Sequence, residues 1–420
     1  MNTYVVAWRN IGRNKRRTAL SAVAITVAAF GMVLLFSIIA GLSFEMQDNF
    51  VRYITGDILI EHEEFEKYQD INPLHFYVPD QEELIKKMEA LEGVAHAFPR
   101  INFGGQLYSQ ASIGEFKRVS IFGFDPVAES DTMNMTSHLV PETNSQMPAA
   151  NSREVIISEG LAKREGLKVG DKINLATMTV RRAAFQITMK ISGIAYFDFS
   201  QMNEGIVFIP FDLAQYIVDY SGFDGAMSVN VVKKTNVERG DLEKQINDVL
   251  KTESAYQGIT ARAFENVSTI YSFLKMAEYI YYFMGLLFFL LASTVIINTT
   301  MMVIFERTRE IGTLSALGMK GKEIVRLFFT EALIIAIIGS LVGVVIGTAM
   351  AIWLEPTGFD FKEAMQGVDF QISGMMKPKW NPVIAIFVLA AGIVVSSFAA
   401  YFPAKRASRI KPIEAMRKDY

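Results

Sequence analysis

The chain has 420 residues, and 51% of them are hydrophobic, with a mean hydropathy of +0.24; this is more apolar than an ordinary soluble protein. Yet 20% of the residues are charged, too many for a chain lying wholly in lipid, so a membrane part joined to a sizeable soluble part is expected. There is no cysteine, which excludes disulfides, thiolate metal sites and a cysteine nucleophile, and the four histidines (His62, His75, His96, His138) match no metal-binding spacing.

The net charge of −3 conceals a segregation. Residues 1–41 carry five basic side chains and no acid, residues 42–275 carry 22 basic and 33 acidic ones, and residues 405–420 carry six and two. Four apolar stretches reach the length of about 20 residues needed to cross a bilayer. They are Thr18–Gly41, Tyr279–Phe305, Leu327–Trp353 and Pro382–Phe402. A cleaved signal peptide is the rival for the first, but its apolar core is longer than such peptides carry and no small-residue cleavage site follows. Basic residues mark the cytoplasmic side. The N-terminus, the segment 306–326 and the C-terminus are therefore expected inside. Residues 42–275 and a short loop (354–380) are expected outside.

This organisation predicts an α-helical membrane protein with four transmembrane helices and an inserted α+β extracytoplasmic domain of two lobes. In chain order it runs as a cytoplasmic amphipathic helix (1–17), the first span (18–41), the outer domain (42–275), the second span (276–305), a cytoplasmic helix (306–326), the third span (327–353), the outer loop (354–380), the fourth span (381–403) and a cytoplasmic tail (404–420). Within the outer domain, β-branched and aromatic runs predict strands at Asp57–Ile60, Arg118–Phe124, Glu154–Ile157, Lys172–Leu175, Gln186–Ile194, Ile206–Ile209 and Ser228–Val232. Helices are predicted at Asp80–Leu91, Ser158–Glu165, Phe211–Val218 and Val237–Leu250. Met135–Ser152, polar and carrying two prolines, reads as a link to a second lobe of about 150–235. The acidic cluster Glu61–Asp70 around His62 reads as a solvated charged face rather than a cation site. Phe264–Glu278, with apolar residues at helical spacing, is expected to extend the second span outward as a stalk.

Gly339, Gly343, Gly347 and Ala351 recur every four residues in the third span. Such a face lets two backbones approach closely, either within the chain or at a dimer seam. Glu331 is the one awkward charge there, and Arg326 nearby would let it rest at the membrane interface.

No GxxxxGK[ST], GxSxG or defensible carboxylate pair is present, so no enzymatic activity is expected of this chain. The informative segment is Glu306–Gly318. Ile311, Leu314 and Leu317 fall three apart, giving a short amphipathic helix that Gly318 can end. Such a helix suits either docking on a cytoplasmic partner or lying on lipid headgroups.

This segment (Glu306, Arg307, Arg309, Glu310, Ile311, Gly312, Leu314, Ala316, Leu317, Gly318) resembles the ER-x-REIG-x-L-x-ALG loop of the macrolide-exporter (MacB/FtsX-like) superfamily of ABC transporter permeases. Ala7, Arg9, Asn10, Arg13, Asn14, Arg17 and Thr18 are similar to its N-terminal helix. Pro403, Ala404, Arg406, Ala407, Pro412, Glu414, Ala415 and Arg417 are similar to its C-terminal pattern, with Met416 in place of the usual leucine. Gly123-Phe124-Asp125-Pro126 and Glu154–Leu175 resemble elements of the lipoprotein-releasing (LolC/LolE-type) branch.

The resemblance implies mechanotransmission. A cytoplasmic ABC ATPase dimer, which binds ATP and Mg while this chain carries no cofactor, pushes the coupling segment of two permease chains, identical or homologous. Stalks relay the motion to the outer domains, with Arg9, Asn10, Arg13, Arg17, Arg406 and Arg417 at the cytoplasmic interface. The lipoprotein branch implies a lipoprotein substrate, an acyl cavity for which Phe36, Phe283, Met284 and Leu287 are candidate linings, and a periplasmic carrier, with Phe103–Ala111 a candidate hook. The alternatives are efflux of a drug or peptide with a periplasmic adaptor, and a signalling scaffold controlling a cell-wall hydrolase. The expected setting is the bacterial inner membrane with both termini cytoplasmic, among lipids and without nucleic acid.

Overall fold

The computed structural model describes residues 15–68, 73–109, 115–130, 132–149, 152–197, 202–220, 222, 224–267, 269–360 and 375–409. A long helix α1 (Lys15–Phe50) ends in one π turn, Val51–Thr55. There follow β1 (Ile58–His62), α2 (Phe65–Tyr68), α3 (Gln81–Glu89), β2 (Val94–Ser109), β3 (Lys117–Phe124), α4 (Met135–His138), β4 (Glu154–Ser158) and α5 (Glu159–Glu165). Next come β5 (Lys172–Met178), β6 (Ala184–Ala195), β7 (Ile206–Pro210), α6 (Phe211–Val218), β8 (Ser228–Lys233), α7 (Arg239–Thr252), β9 (Ile259–Ala263) and α8 (Phe264–Val267). The chain closes with α9 (Thr269–Glu306), α10 (Thr308–Ala316), α11 (Gly321–Leu354), β10 (Phe359–Asp360), β11 (Met375–Met376) and α12 (Pro382–Ala407). It divides into two compact units, one built on Glu45–Ser272 and one on Met1–Phe44, Phe273–Phe361 and Met375–Tyr420.

Among the described residues, four helices are long and apolar enough to cross a membrane. Glycines set their closest approaches. A Cβ on Gly343 would lie 2.5 Å from the Thr26 carbonyl oxygen and 2.7 Å from the Ala29 Cβ, and one on Gly347 would lie 2.9 Å from the Val33 Cβ. The Thr26 hydroxyl donates to the Gly339 carbonyl at 3.1 Å. The Gly339–Ala351 face thus packs against α1 of the same chain, with Ala351 fully buried. Gly285 of α9 similarly abuts Met32 and Phe36, and Gly392 of α12 abuts Ser340. Small residues substitute close backbone packing for the hydrophobic drive that lipid does not supply.

At one end of the helical unit the strand pair β10–β11 leads into a clasp on α1. The Lys377 carbonyl oxygen lies where a Cβ on Gly41 would be, 1.8 Å away. The Lys379 N–H donates to the Ser37 carbonyl at 2.8 Å, and its ammonium stands 3.8 Å from the Phe44 ring centroid.

The α+β unit is organised by β2. Its first half, Val94–Arg100, pairs with β8, continuing through β1 to β9 as a four-stranded antiparallel sheet. Leu84 and Met88 of α3 and Leu242, Ile246 and Leu250 of α7 belong to the buried core of that sheet. The second half, Ile101–Ser109, pairs with both β3 and β5, so β2, β3, β7, β4, β6 and β5 close into a ring. Closure leaves no open edge. Leu107, Ile121, Val155, Ile157, Leu175, Ile191 and Val207 fill its core.

The two lobes therefore share one strand, and the second begins within β2 rather than near residue 150. β8, expected in the second lobe, belongs to the first sheet. The stretch Met135–Ser152 is not a free link either: the Val140 N–H donates to the Ile194 carbonyl and the Gln146 N–H to the Ser192 carbonyl, so it is laid against β6.

Candidate functional site

At one end of the helical unit, α9 turns at Arg307 into α10. Ile311 is buried with Ile304, Ile324, Phe328, Ala404 and Ala407, and Gly312 is buried beside it. Leu314 is half-buried, and Leu317 is 81% exposed. The expected single apolar face is thus split. Residues three apart drift by about 60° per step around a helix, so Ile311 turns into the bundle while Leu317 turns out.

Gly318 (φ 94°) ends α10 in a Schellman motif, its N–H donating to the Ser315 carbonyl and that of Met319 to the Leu314 carbonyl. Glu306, Arg309, Glu310, Ala316 and Gly318 are exposed. Arg406 is exposed on α12, whose Ala404 and Ala407 share the Ile311 cluster. Arg307 is 7% exposed, and its Nε and Nη2 have no hydrogen-bond partner among the described residues. Arg9, Asn10, Arg13 and Arg417 lie outside the described residues; Arg17 is in α1, its side chain not described.

Other expectations fare differently. Glu331 is buried at 8% exposure and lines a cavity of about 40 Å³ with Thr18, Ser21 and Thr299. Phe36 is buried against Tyr282, Phe387 and the Gly285 face, whereas Phe283, Met284 and Leu287 are exposed. Phe283 and Leu287 lie on the side of α9 opposite Gly285 and Phe289, so they do not share the packed face of α9 that Phe36 meets. Phe103–Ser109 of the candidate hook belongs to β2, and Gln110 and Ala111 lie outside the described residues.

In the α+β unit, two arginines hold the segments where the long helices begin and end. Arg100 is the last β2 residue paired with β8, and Ile101 is the first paired with β3. The Arg100 side chain is fully buried; Nη1 donates to the Tyr53 carbonyl in the π turn at 2.6 Å, Nε to Glu129 Oε1 at 3.1 Å, and Nη2 to Glu129 Oε2. Phe122 stacks beneath the guanidinium, its centroid 4.4 Å away. Burial pushes the Glu129 carboxyl up to about 7 against the opposing pull of Arg100, and burial lowers the Arg100 guanidinium. Asn230, also fully buried, donates from Nδ2 to the Ile54 carbonyl at 2.7 Å.

The second arginine is Arg239, at the start of α7. Its Nε donates to Asp57 Oδ1 and its Nη1 to Glu265 Oε1, both at 2.7 Å. Asp57 follows the π turn and Glu265 lies in α8, just before α9. Nearby, Arg262 pairs with Glu61 and Glu66, so the acidic cluster is partly neutralised within the domain. His62 stacks on Phe76 at 4.6 Å, and no group able to hold a metal occurs among the described residues. Sequence reasoning missed both arginine clamps; the one visible signal was Arg100 set among the apolar residues Ala97, Phe98, Pro99 and Ile101.

Residues 18–249 match the MacB-like periplasmic core domain, and residues 282–412 match the FtsX-like permease C-terminal domain. The chain belongs to the MacB/FtsX family of ABC transporter permeases. It is 21% identical over 416 residues to an uncharacterized ABC transporter permease of Methanocaldococcus jannaschii, covering 98% of this chain and 96% of that one. It is 20% identical over 419 residues to the lipoprotein-releasing system transmembrane protein LolC of Haemophilus influenzae, covering 95% and 93%. Similarity to the macrolide export ATP-binding/permease protein MacB of Nitrobacter winogradskyi reaches 31% over 121 residues, which is 29% of this chain and 16% of that protein. The four apolar helices and the mixed α/β domain are those of a MacB/FtsX-type membrane permease.

Proposed function

We propose that this permease is driven by a separate cytoplasmic ATPase docking on α10, and that it extracts lipoproteins from the outer leaflet of the cytoplasmic membrane for a periplasmic carrier. The observation carrying the docking is the division of labour within α10. Ile311 anchors the helix in the bundle, while Leu317 stands exposed at its glycine-ended terminus and Arg309 and Glu310 are exposed in its first turn. A fixed helix presenting one apolar knob with charged shoulders suits a groove on a partner. In this reading both termini are cytoplasmic, two permease chains pair, and ATP and Mg reside on the partner.

The lipoprotein substrate is supported by similarity to LolC along almost the whole chain. Drawing an acyl chain out of lipid toward water costs about 0.8 kcal/mol per CH₂, so release is the step that requires ATP. The shorter similarity to MacB favours efflux of a small molecule as the second reading.

Leu317→Asp should abolish co-purification of the ATPase while leaving the permease folded; retained binding would remove the docking role. Depleting the permease should leave lipoproteins in the inner membrane. Unchanged lipoprotein sorting, with a gain in drug sensitivity, would favour efflux.

A further inference from the structure

We infer that Arg239 is a positioning residue that locks the outgoing end of α1 to the incoming end of α9, so that the two move as one piece at their entry into the α+β domain. The inference rests on the transmission reading above and names the joint through which transmission would pass.

The joint has three layers. The β1–β9 ladder pairs Ile58–His62 with Ile259–Ala263. One step beyond it, the Phe264 N–H donates to the Asp57 carbonyl at 3.1 Å. At the end of the ladder the Arg239 guanidinium bridges Asp57 and Glu265, and it stands 5.7 Å from the Phe264 ring centroid. Asp57 is itself fixed, since its Oδ2 accepts the Lys233 N–H at 3.0 Å. Beyond this point the chain passes directly into the π turn of α1 on one side and into α8 on the other.

Arginine suits this position because its planar fork presents two donors in fixed directions to two separate carboxylates, which a lysine ammonium cannot reproduce. The side chains are 24%, 9% and 31% exposed for Arg239, Asp57 and Glu265, so the contacts are partly shielded from water. Ordinary surface pairs contribute little to stability, and a bridge used only to stabilise one helix would have no need to join two segments remote in the chain at the same end of the β1–β9 ladder. Here the two carboxylates belong to segments about two hundred residues apart, and both lead into membrane-length helices.

The test uses the full permease–ATPase complex in lipid, with hydrogen exchange of the α+β domain followed with and without ATP. Wild type should show ATP-dependent exchange around residues 50–57 and 264–267. Arg239→Ala should keep ATP hydrolysis within about twofold and lose the ATP-dependent change, with substrate release falling about tenfold. Arg239→Lys should resemble Arg239→Ala.

A covalent bypass separates positioning from folding. The chain has no cysteine. Ile58 and Ala263 are ladder partners next to the hydrogen-bonded Asp57–Phe264 pair, a place where side chains approach closely enough for a disulfide. Oxidised Ile58→Cys/Ala263→Cys should restore the response to Arg239→Ala, and reduction should remove it. An ATP response that persists in Arg239→Ala overturns the lock alone, as does a loss that the disulfide does not rescue. A wild-type complex with no ATP response overturns the transmission reading and the lock together.

Discussion

Arg100 and Glu129 meet as a fully buried ion pair at the residue where β2 leaves one sheet for the other. The same guanidinium holds the Tyr53 carbonyl, so one side chain joins both lobes to the turn that ends α1. Removing one partner leaves an uncompensated buried charge. Glu129→Ala is expected to destabilise the α+β domain by about 3–5 kcal/mol, read as faster hydrogen exchange across β2 and β3 in the full chain. Replacing both residues with apolar ones should cost less than the single change; a double variant as weak as the sum of the singles would show that the pair is not coupled.

The pair also sets a pH dependence. A carboxyl held near 7 instead of its ordinary 4.5 binds its proton more tightly folded than unfolded. Its contribution to stability is therefore greatest below about 4.5 and declines as pH rises toward about 7. The stability advantage of wild type over Glu129→Gln should shrink across that window. An advantage independent of pH would show that the carboxyl stays ionised throughout.

The glycine seam yields a contrast within one bundle. Gly343→Ala places a Cβ 2.5 Å from a backbone oxygen of α1, whereas a Cβ on Gly31 meets nothing within 4 Å. Gly343→Ala should cost about 1–3 kcal/mol in detergent melting, and Gly31→Ala should be neutral or slightly stabilising. Equal melting of the two variants would contradict the packing described.

Ile311 and Leu317 should separate folding from docking. Ile311→Asp buries an unpaired carboxylate among Ile304, Phe328 and Ala404 and should lower the yield of folded permease. Leu317→Asp changes a residue that is 81% exposed and should leave the melting temperature unchanged.

The parts legible in the sequence were those with a period or an uninterrupted run. The four spans and seven strands follow from apolar runs and β-branched residues, and the Gly318 stop follows from glycine's access to left-handed backbone. β2 was missed because Pro99, Arg100 and the Gly104-Gly105 pair interrupt its sixteen residues; pairing with β8, β3 and β5 along its length overrode their weak strand preference. β9 was missed because its five residues alternate around a buried Ala261 and a paired Arg262, with little apolar bulk. The inward turn of Ile311 was hidden because a spacing of three is nearly, but not fully, one helical turn. The clamps at Arg100 and Arg239 join residues far apart in the chain, and pairings of that kind leave no periodic trace in a single sequence.

The Gly339–Gly343–Gly347–Ala351 ladder has one more property. A pattern repeating every four residues maps onto itself after a slide of four residues, about 6 Å along the axis. The α1 surface it meets, Ala22 and Ile25, then Thr26 and Ala29, then Phe30 and Val33, repeats with the same step. Backbone spacing alone therefore does not distinguish one register of this seam from the next, although the α1 side chains met at successive steps, Ile25, Ala29 and Val33, differ in bulk. The choice falls to contacts that do not repeat: the Thr26 hydroxyl on the Gly339 carbonyl, and the Lys377–Lys379 strap across Gly41 and Ser37, which acts as the end stop of a rack.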